Sequence, residues 1–123
     1  MEFYEEKRPW GSFKEFIKNQ EATVKIITVH PNEQLSLQYH LHRKEFWKVL
    51  SGNPQVQIDD PASGRAGKKV EAKVGDEFII PEKAKHRLTS GNEKTEVLEI
   101  SFGKFDENDI VRLEDKYGRP TNQ

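Results

Sequence analysis

Residues 40–52, HLHRKEFWKVLSG, put two histidines two positions apart, place a glutamate three residues beyond the second, and then run through an apolar stretch to a glycine. On a β-strand, side chains at i and i+2 point to the same face, about 6.6 Å apart along the chain. His40 and His42 are therefore expected as a ligand pair, with Leu41 turned away. A divalent ion held with an open coordination position needs further protein donors, and an oxygen donor from a nearby turn suits it. Glu45 is in reach for that role. Another ligand has to come from a second strand, and with four histidines in the whole chain His86 is the clear candidate, in the segment GDEFIIPEKAKHRLTS.

The two segments have matching punctuation. Gly52 stands seven residues after Glu45, and Gly75, Pro81 and His86 follow the spacing G-x5-P-x4-H. These blocks resemble the paired motifs of the cupin family, G-x5-H-x-H-x(3,4)-E-x6-G and G-x5-P-x-G-x2-H-x3-N. Asn32 or Glu33 stands near the usual first glycine, two residues separate His42 from Glu45, Lys83 replaces a glycine, and Ser90 replaces the asparagine. The resemblance implies a single all-β cupin domain, a double-stranded β-helix or jelly-roll barrel with short extensions. Its expected divisions are an N-terminal arm with the first strand over 1–20, the barrel over 21–104, and a C-terminal tail over 105–123.

Composition narrows the function. The chain has 123 residues, one third of them charged, with a net charge of −1, so no strong field draws nucleic acid or an anionic membrane. It has no cysteine, which excludes disulfides and thiolate metal sites and fits a reducing cytoplasm. No stretch approaches the roughly 20 apolar residues of a membrane span. A cytoplasmic protein without membrane or nucleic-acid partners is expected.

Outward from the central stretch, the chain reads as short strands between turns. Residues 1–12 are polar and turn-rich, with Trp10 between Pro9 and Gly11, an arm suited to pairing with a second subunit as a homodimer. Strands are expected over 13–18, 23–29, 35–42, 45–51, 55–58, 69–74, 77–80, 87–89 and 95–102, with DDPASGRAG as a hairpin tip. In the second of these, Lys25 shares a face with apolar neighbours, either snorkelling at an edge or contacting an anion inside the barrel. Along 35–42, Ser36, Gln38, His40 and His42 form a polar face that would line a wet cavity, with Gln38 touching substrate or supporting the ligands. The tail FDENDIVRLEDKYGR is charged and reads as a short helix or strand over the barrel mouth, bringing Arg112 and Arg119 within reach of a phosphate.

A closer resemblance runs along almost the whole chain. RPWGSF at 8–13, LSLQYHLHRKEFWKVLSG at 35–52, IIPEKAKHRL at 79–88 and DENDIVRLEDKYGR at 106–119 look like the cupin-type (type II) mannose-6-phosphate isomerase, here in the stand-alone form of a domain also found fused to mannose-1-phosphate guanylyltransferase. Leu41 and Phe46 stand where that family carries further histidines. The resemblance implies interconversion of mannose 6-phosphate and fructose 6-phosphate with one divalent ion, whether Zn, Mn, Co, Ni or Fe, held by His40, His42, Glu45 and His86. The reaction needs a base to move a proton between C1 and C2. Glu99, in VLEI, is a candidate that alternation places equally well outside the barrel or facing a polar interior, and Glu45 is the alternative. Arg43, Lys25, Arg112 and Arg119 are the phosphate candidates. Two other chemistries suit the same barrel: a metal-dependent oxygenase or decarboxylase, and a sugar-phosphate-binding module without turnover.

Overall fold

The computed structural model describes residues 3–118, which form eleven strands and no helix. In chain order these are β1 Tyr4–Arg8, β2 Gly11–Glu15, β3 Ala22–Val29, β4 Leu37–Tyr39, β5 Lys44–Ser51, β6 Gln55–Ile58, β7 Lys69–Glu71, β8 Glu77–Ile80, β9 His86–Thr89, β10 Thr95–Phe102 and β11 Val111–Glu114. Two antiparallel sheets face one another, ordered β3-β10-β5-β8 and β11-β4-β9-β6-β7, and β1 and β2 form a separate hairpin. The all-β jelly-roll expectation holds. Its details shift at the N-terminal end, where the arm contains β1 and the second hairpin strand stops at Glu15, and the tail, expected as a short helix or strand, carries the strand β11.

Strand register divides the barrel interior into a polar and an apolar half. In β10, Thr95, Val97, Glu99 and Ser101 face inward and are buried, and their partners on β5 include Val49, Trp47 and Glu45. Val97 and Val49 therefore lie at one end and Ser101 and Glu45 at the other. The apolar cluster continues through Val29, Val56, Ala72, Ala84 and Leu88, and Ile80, the register partner of Glu45, carries it up to the polar end. Burying a side chain such as Leu88 contributes about 1.5–3 kcal/mol, so this half holds the two sheets together and leaves the other half free for polar groups.

The middle of β5 is apolar and covered on both faces, at Phe46 and Trp47. Trp47 points inward, while Phe46 points outward beneath the arm, its ring centroid 5.1 Å from that of Phe3 and 5.0 Å from that of Phe16. This packing is why a phenylalanine suits position 46.

Two backbone positions explain the motif punctuation. Gly52 has φ +87°, and a Cβ there would lie 2.7 Å from the Lys94 carbonyl oxygen and 2.9 Å from the Thr95 Cα, so the turn into β6 admits no side chain. Lys83 also lies in the left-handed region, with φ 67°, at the position where the motif has glycine. Its amide donates to the His40 carbonyl oxygen at 2.7 Å, tying the two motif segments together. A left-handed conformation costs a side-chain-bearing residue about 1–2 kcal/mol, partly offset by the greater unfolded-state freedom of glycine. Lys83→Gly is expected to stabilise the fold by about 0.5–1 kcal/mol, measured by urea denaturation. A loss of stability would show that the lysine side chain contributes more than its backbone strain removes.

Candidate metal centre

Ligand atoms of His40, Glu45 and His86 lie within 4.8 Å of one another, and all three residues are buried. His40 directly follows β4, Glu45 is the second residue of β5, and His86 opens β9, so both sheets contribute. Glu45 Oε1 is 3.6 Å from His40 Nε2 and 3.5 Å from His86 Nε2. Donors about 2.1 Å from a tetrahedral ion are separated by about 3.4 Å, close to both spacings. The tautomers suit the same task. His40 Nδ1 lies 2.6 Å from the Asp109 carbonyl oxygen and His86 Nδ1 lies 2.8 Å from that of Ala84. A carbonyl oxygen only accepts, so both Nδ1 atoms carry the proton and both Nε2 lone pairs face the centre. His86 Nε2 and Glu45 Oε1 are buried without a hydrogen-bond partner. Orphaned buried acceptors converging on one point fit a divalent cation.

The electrostatics keep the histidines neutral. Burial lowers His40 to about 4, with the Arg43 charge adding to the effect, and burial lowers His86 to about 3. Burial raises Glu45 to about 8, reinforced by the charge of Glu99, to which it is hydrogen-bonded. Arg43 and the Ser101 hydroxyl, which donates to Glu45 Oε2 at 3.2 Å, act in the opposite direction. Glu99 is itself buried and accepts from the Trp47 indole N–H at 2.9 Å. Its inward orientation resolves the two readings left open by alternation.

These shifts set the pH dependence of the metal-stripped protein. The two histidines bind protons more weakly folded than unfolded, so their contribution is full above about pH 6.5 and is lost as pH falls toward 4 and 3. Glu45 runs the other way, and stability is lost as pH rises from 4.5 toward 8. Together the three groups place maximum stability near pH 6.5. Thermal unfolding from pH 4 to 9 checks this, and a midpoint rising monotonically across that range would contradict it.

His42 does not join the cluster. β4 ends at Tyr39, and the chain bends because the Asp109 carboxylate accepts the amides of Leu41, at 2.8 Å, and His42, at 3.0 Å. The i/i+2 geometry of a strand is lost, and the His42 side chain is exposed on the outside, beside Lys44 and Glu82. The alternation of 35–42 thus holds through His40, with Ser36 and His40 buried, and fails beyond it.

The remaining expected residues occupy the polar half or its rim. Gln38 pairs with His86 on one side and Arg112 on the other, a row across one sheet. Lys25, Glu99 and Trp47 form the corresponding row on the other sheet. The rows face each other, since the Trp47 and His86 rings meet edge-on with centroids 5.5 Å apart. Lys25 is exposed, its ammonium 4.0 Å from the centre of the Phe105 ring. Arg43, a phosphate candidate, is buried beside Glu45, its Nε 3.1 Å from Glu45 Oε2. Arg119 lies outside the described residues. Sequence reasoning passed over Ser101, Asp109 and Phe105. Ser101 was signalled by its parity with Glu99, whereas Asp109 acts through its main chain and through a contact 69 residues away in sequence.

Residues 2–115 match the family described as Mannose-6-phosphate isomerase C-terminal. This chain belongs to that family. Among relatives of the mannose-6-phosphate isomerase C-terminal domain, the alginate biosynthesis protein AlgA of Pseudomonas aeruginosa is 41% identical over 114 residues, spanning 91% of this chain and 22% of AlgA. Xanthan biosynthesis protein XanB of Xanthomonas campestris is 39% identical, over 91% of this chain and 23% of that protein. Mannose-1-phosphate guanylyltransferase of Escherichia coli K12 is 36% identical, over 91% and 22%. The domain thus spans under a quarter of the length of these relatives. Among solved structures, capsular polysaccharide assembling protein CapF of Staphylococcus aureus superposes with TM-score 0.66 at 20% identity, covering 93% of this chain and 33% of CapF. Oxalate decarboxylase of Bacillus subtilis gives TM-score 0.69 at 23% identity, covering 76% and 24%. At such identities the likeness concerns the fold, and the mannose-6-phosphate isomerase C-terminal domain has the cupin fold.

Proposed function

We propose that this chain is a metal-dependent aldose-ketose isomerase that interconverts mannose 6-phosphate and fructose 6-phosphate. The observation that carries the reading is the buried His40, Glu45 and His86 group set directly beside a second inward carboxylate, Glu99, in a chain of this family. These three residues would hold a divalent ion, whether Zn, Mn, Co, Ni or Fe, which would supply Lewis-acid polarisation of the sugar carbonyl. Its identity is set by geometry and supply more than by these donor types.

Glu99 carries the proton between C2 and C1 of the open-chain sugar. The Trp47 N–H, 2.9 Å from Glu99 Oε2, fixes that carboxylate. Gln38, in the row beside His86, holds a sugar hydroxyl, and Lys25 with Arg112 binds the phosphate at the rim. Arg119 remains a phosphate candidate from the resemblance alone. The reaction is expected to exchange the C2 hydrogen of mannose 6-phosphate with solvent. Proton NMR in deuterated buffer, with metal supplied, checks this, and an intact C2 signal with a saturating ligand present would contradict it.

The depth of the centre favours one second reading. His40, Glu45 and His86 are each at most 3% exposed, which suits a sugar-phosphate-binding module without turnover. Thermal stabilisation by mannose 6-phosphate without C2 exchange would establish it in place of the isomerase.

A cytoplasmic location is proposed for this activity, supported by the cytoplasmic supply of sugar phosphates and compatible with a chain that needs no disulfides. Among the described residues no helix is long and apolar enough to cross a membrane. Two copies associate through the edge strand β3, whose Val24 and Ile26 are exposed, and the hairpin arm with Trp10 at its tip. Sedimentation equilibrium at micromolar concentration giving the mass of one chain would exclude the dimer.

A further inference from the structure

Glu45 turns its two oxygens to different neighbours. Oε1 faces His40 Nε2 and His86 Nε2 and has no hydrogen-bond partner. Oε2 is held from the other side: Arg43 Nε is ion-paired with it at 3.1 Å, and the Ser101 hydroxyl donates to it at 3.2 Å. A guanidinium is charged at any pH a protein meets, so a buried one needs an anion beside it, and Glu45 supplies that anion. The guanidinium is itself braced. Its Nη2 is 3.0 Å from both ring nitrogens of His40, which places it over the ring face and leaves the in-plane Nε2 lone pair to the centre. Its Nη1 is 3.5 Å from the Asp106 carbonyl oxygen, and its carbon lies 4.6 Å from the centre of the Phe105 ring.

We propose that Arg43 and Ser101 are positioning residues that hold Glu45 by Oε2, so that it meets a divalent ion through Oε1 alone. The inference rests on the metal-binding part of the proposed function. Neither residue takes a donor atom from the centre, and both act through the carboxylate they hold. A carboxylate that is free to turn can offer both oxygens to one ion, and the second oxygen then fills a coordination position. Held by one oxygen, Glu45 counts as a single donor beside His40 and His86, which leaves the ion a position for a sugar oxygen. Glu45 also has no oxygen left to carry a proton, and that task falls to Glu99. The same hold discriminates between ions. One carboxylate oxygen suits a small ion such as zinc, whereas a larger one such as cadmium gains more from a carboxylate that binds by both, since ligand number and flexibility set such preferences. Arg43 thus serves the ion's geometry, although the chain's resemblance made it a phosphate candidate.

The test is titration of the metal-stripped full chain with zinc and with cadmium by calorimetry, for wild type, Ser101→Ala, Arg43→Met and Arg43→Lys. Both ions carry the same charge, so the repulsion that Arg43→Met removes cancels in the ratio of the two affinities. That ratio, cadmium over zinc, is expected to rise at least about fivefold in Arg43→Met and at least about twofold in Ser101→Ala, as Oε2 is released to the larger ion. Arg43→Lys keeps an ammonium able to reach Oε2 and is expected to stay within about twofold of wild type. A merely structural role would weaken both ions together and leave the ratio where it is. Ser101→Ala removes a single hydroxyl, so its ratio decides the matter if Arg43→Met fails to fold. A ratio unchanged in Ser101→Ala and Arg43→Met overturns the proposal and leaves the metal centre standing, whereas no zinc binding by the wild type overturns both.

Discussion

Glu99→Gln is expected to lower isomerase turnover by about 10²–10⁴-fold, the usual contribution of a positioned general base, while zinc affinity changes by less than about threefold. The substitution is nearly isosteric. A glutamine oxygen still accepts the Trp47 indole N–H, which Glu99 Oε2 accepts at 2.9 Å, and its amide nitrogen can donate to Glu45, the present hydrogen-bond partner of Glu99. What disappears is the capacity to take a proton from carbon. Because the metal-ligand candidates are His40, Glu45 and His86, a selective effect on kcat separates the base from the ligands. If turnover falls by less than threefold, the proton is carried elsewhere, and Glu45 becomes the base to examine.

His86→Ala is expected to weaken zinc binding by more than about 100-fold, beyond what is typical for loss of a group that only supports a ligand, and to remove turnover with it. His86 is held from behind by the Ala84 carbonyl and packs edge-on against Trp47, so its Nε2 is aimed without freedom to move. Loss of the ring leaves Glu45 and His40 on opposite walls with no third donor. Near-ultraviolet circular dichroism of the Trp47 environment controls for collapse of the site. A variant with native dichroism and wild-type zinc affinity would show that His86 is a structural histidine.

The convergence of His40, Glu45 and His86 was legible in the sequence because these residues sit at fixed offsets from turn residues, and turn chemistry survives folding. His86 follows Pro81 by five positions, and Lys83 occupies a left-handed position where the motif has glycine, so even the departure marks the same turn. His42 was misplaced because its orientation is decided by the Asp109 carboxylate, a contact 67 residues distant that ends β4 early. Alternation cannot supply such a contact. It was also blind to whether Glu99 faced in or out, since a barrel with a polar interior reads like one with a polar surface. Only register against Trp47 on β5 decides it. β1, YEEKR, escaped notice because four of its five residues are charged and four are exposed, leaving no periodic apolar signal. Arg43 was expected as a phosphate candidate, and its burial beside Glu45, two residues along on the strand it enters, was not legible in the sequence because arginines are mostly exposed.

The most direct test of the account is turnover itself. Purified protein would be stripped of metal, loaded separately with Zn, Mn, Co, Ni and Fe(II), and assayed for conversion of mannose 6-phosphate to fructose 6-phosphate beside a His40→Ala/His86→Ala double variant. The predicted result is conversion that depends on at least one of these ions and disappears in the double variant. A folded wild-type protein that binds an ion at His40, Glu45 and His86 yet converts no substrate with any of the five would contradict it.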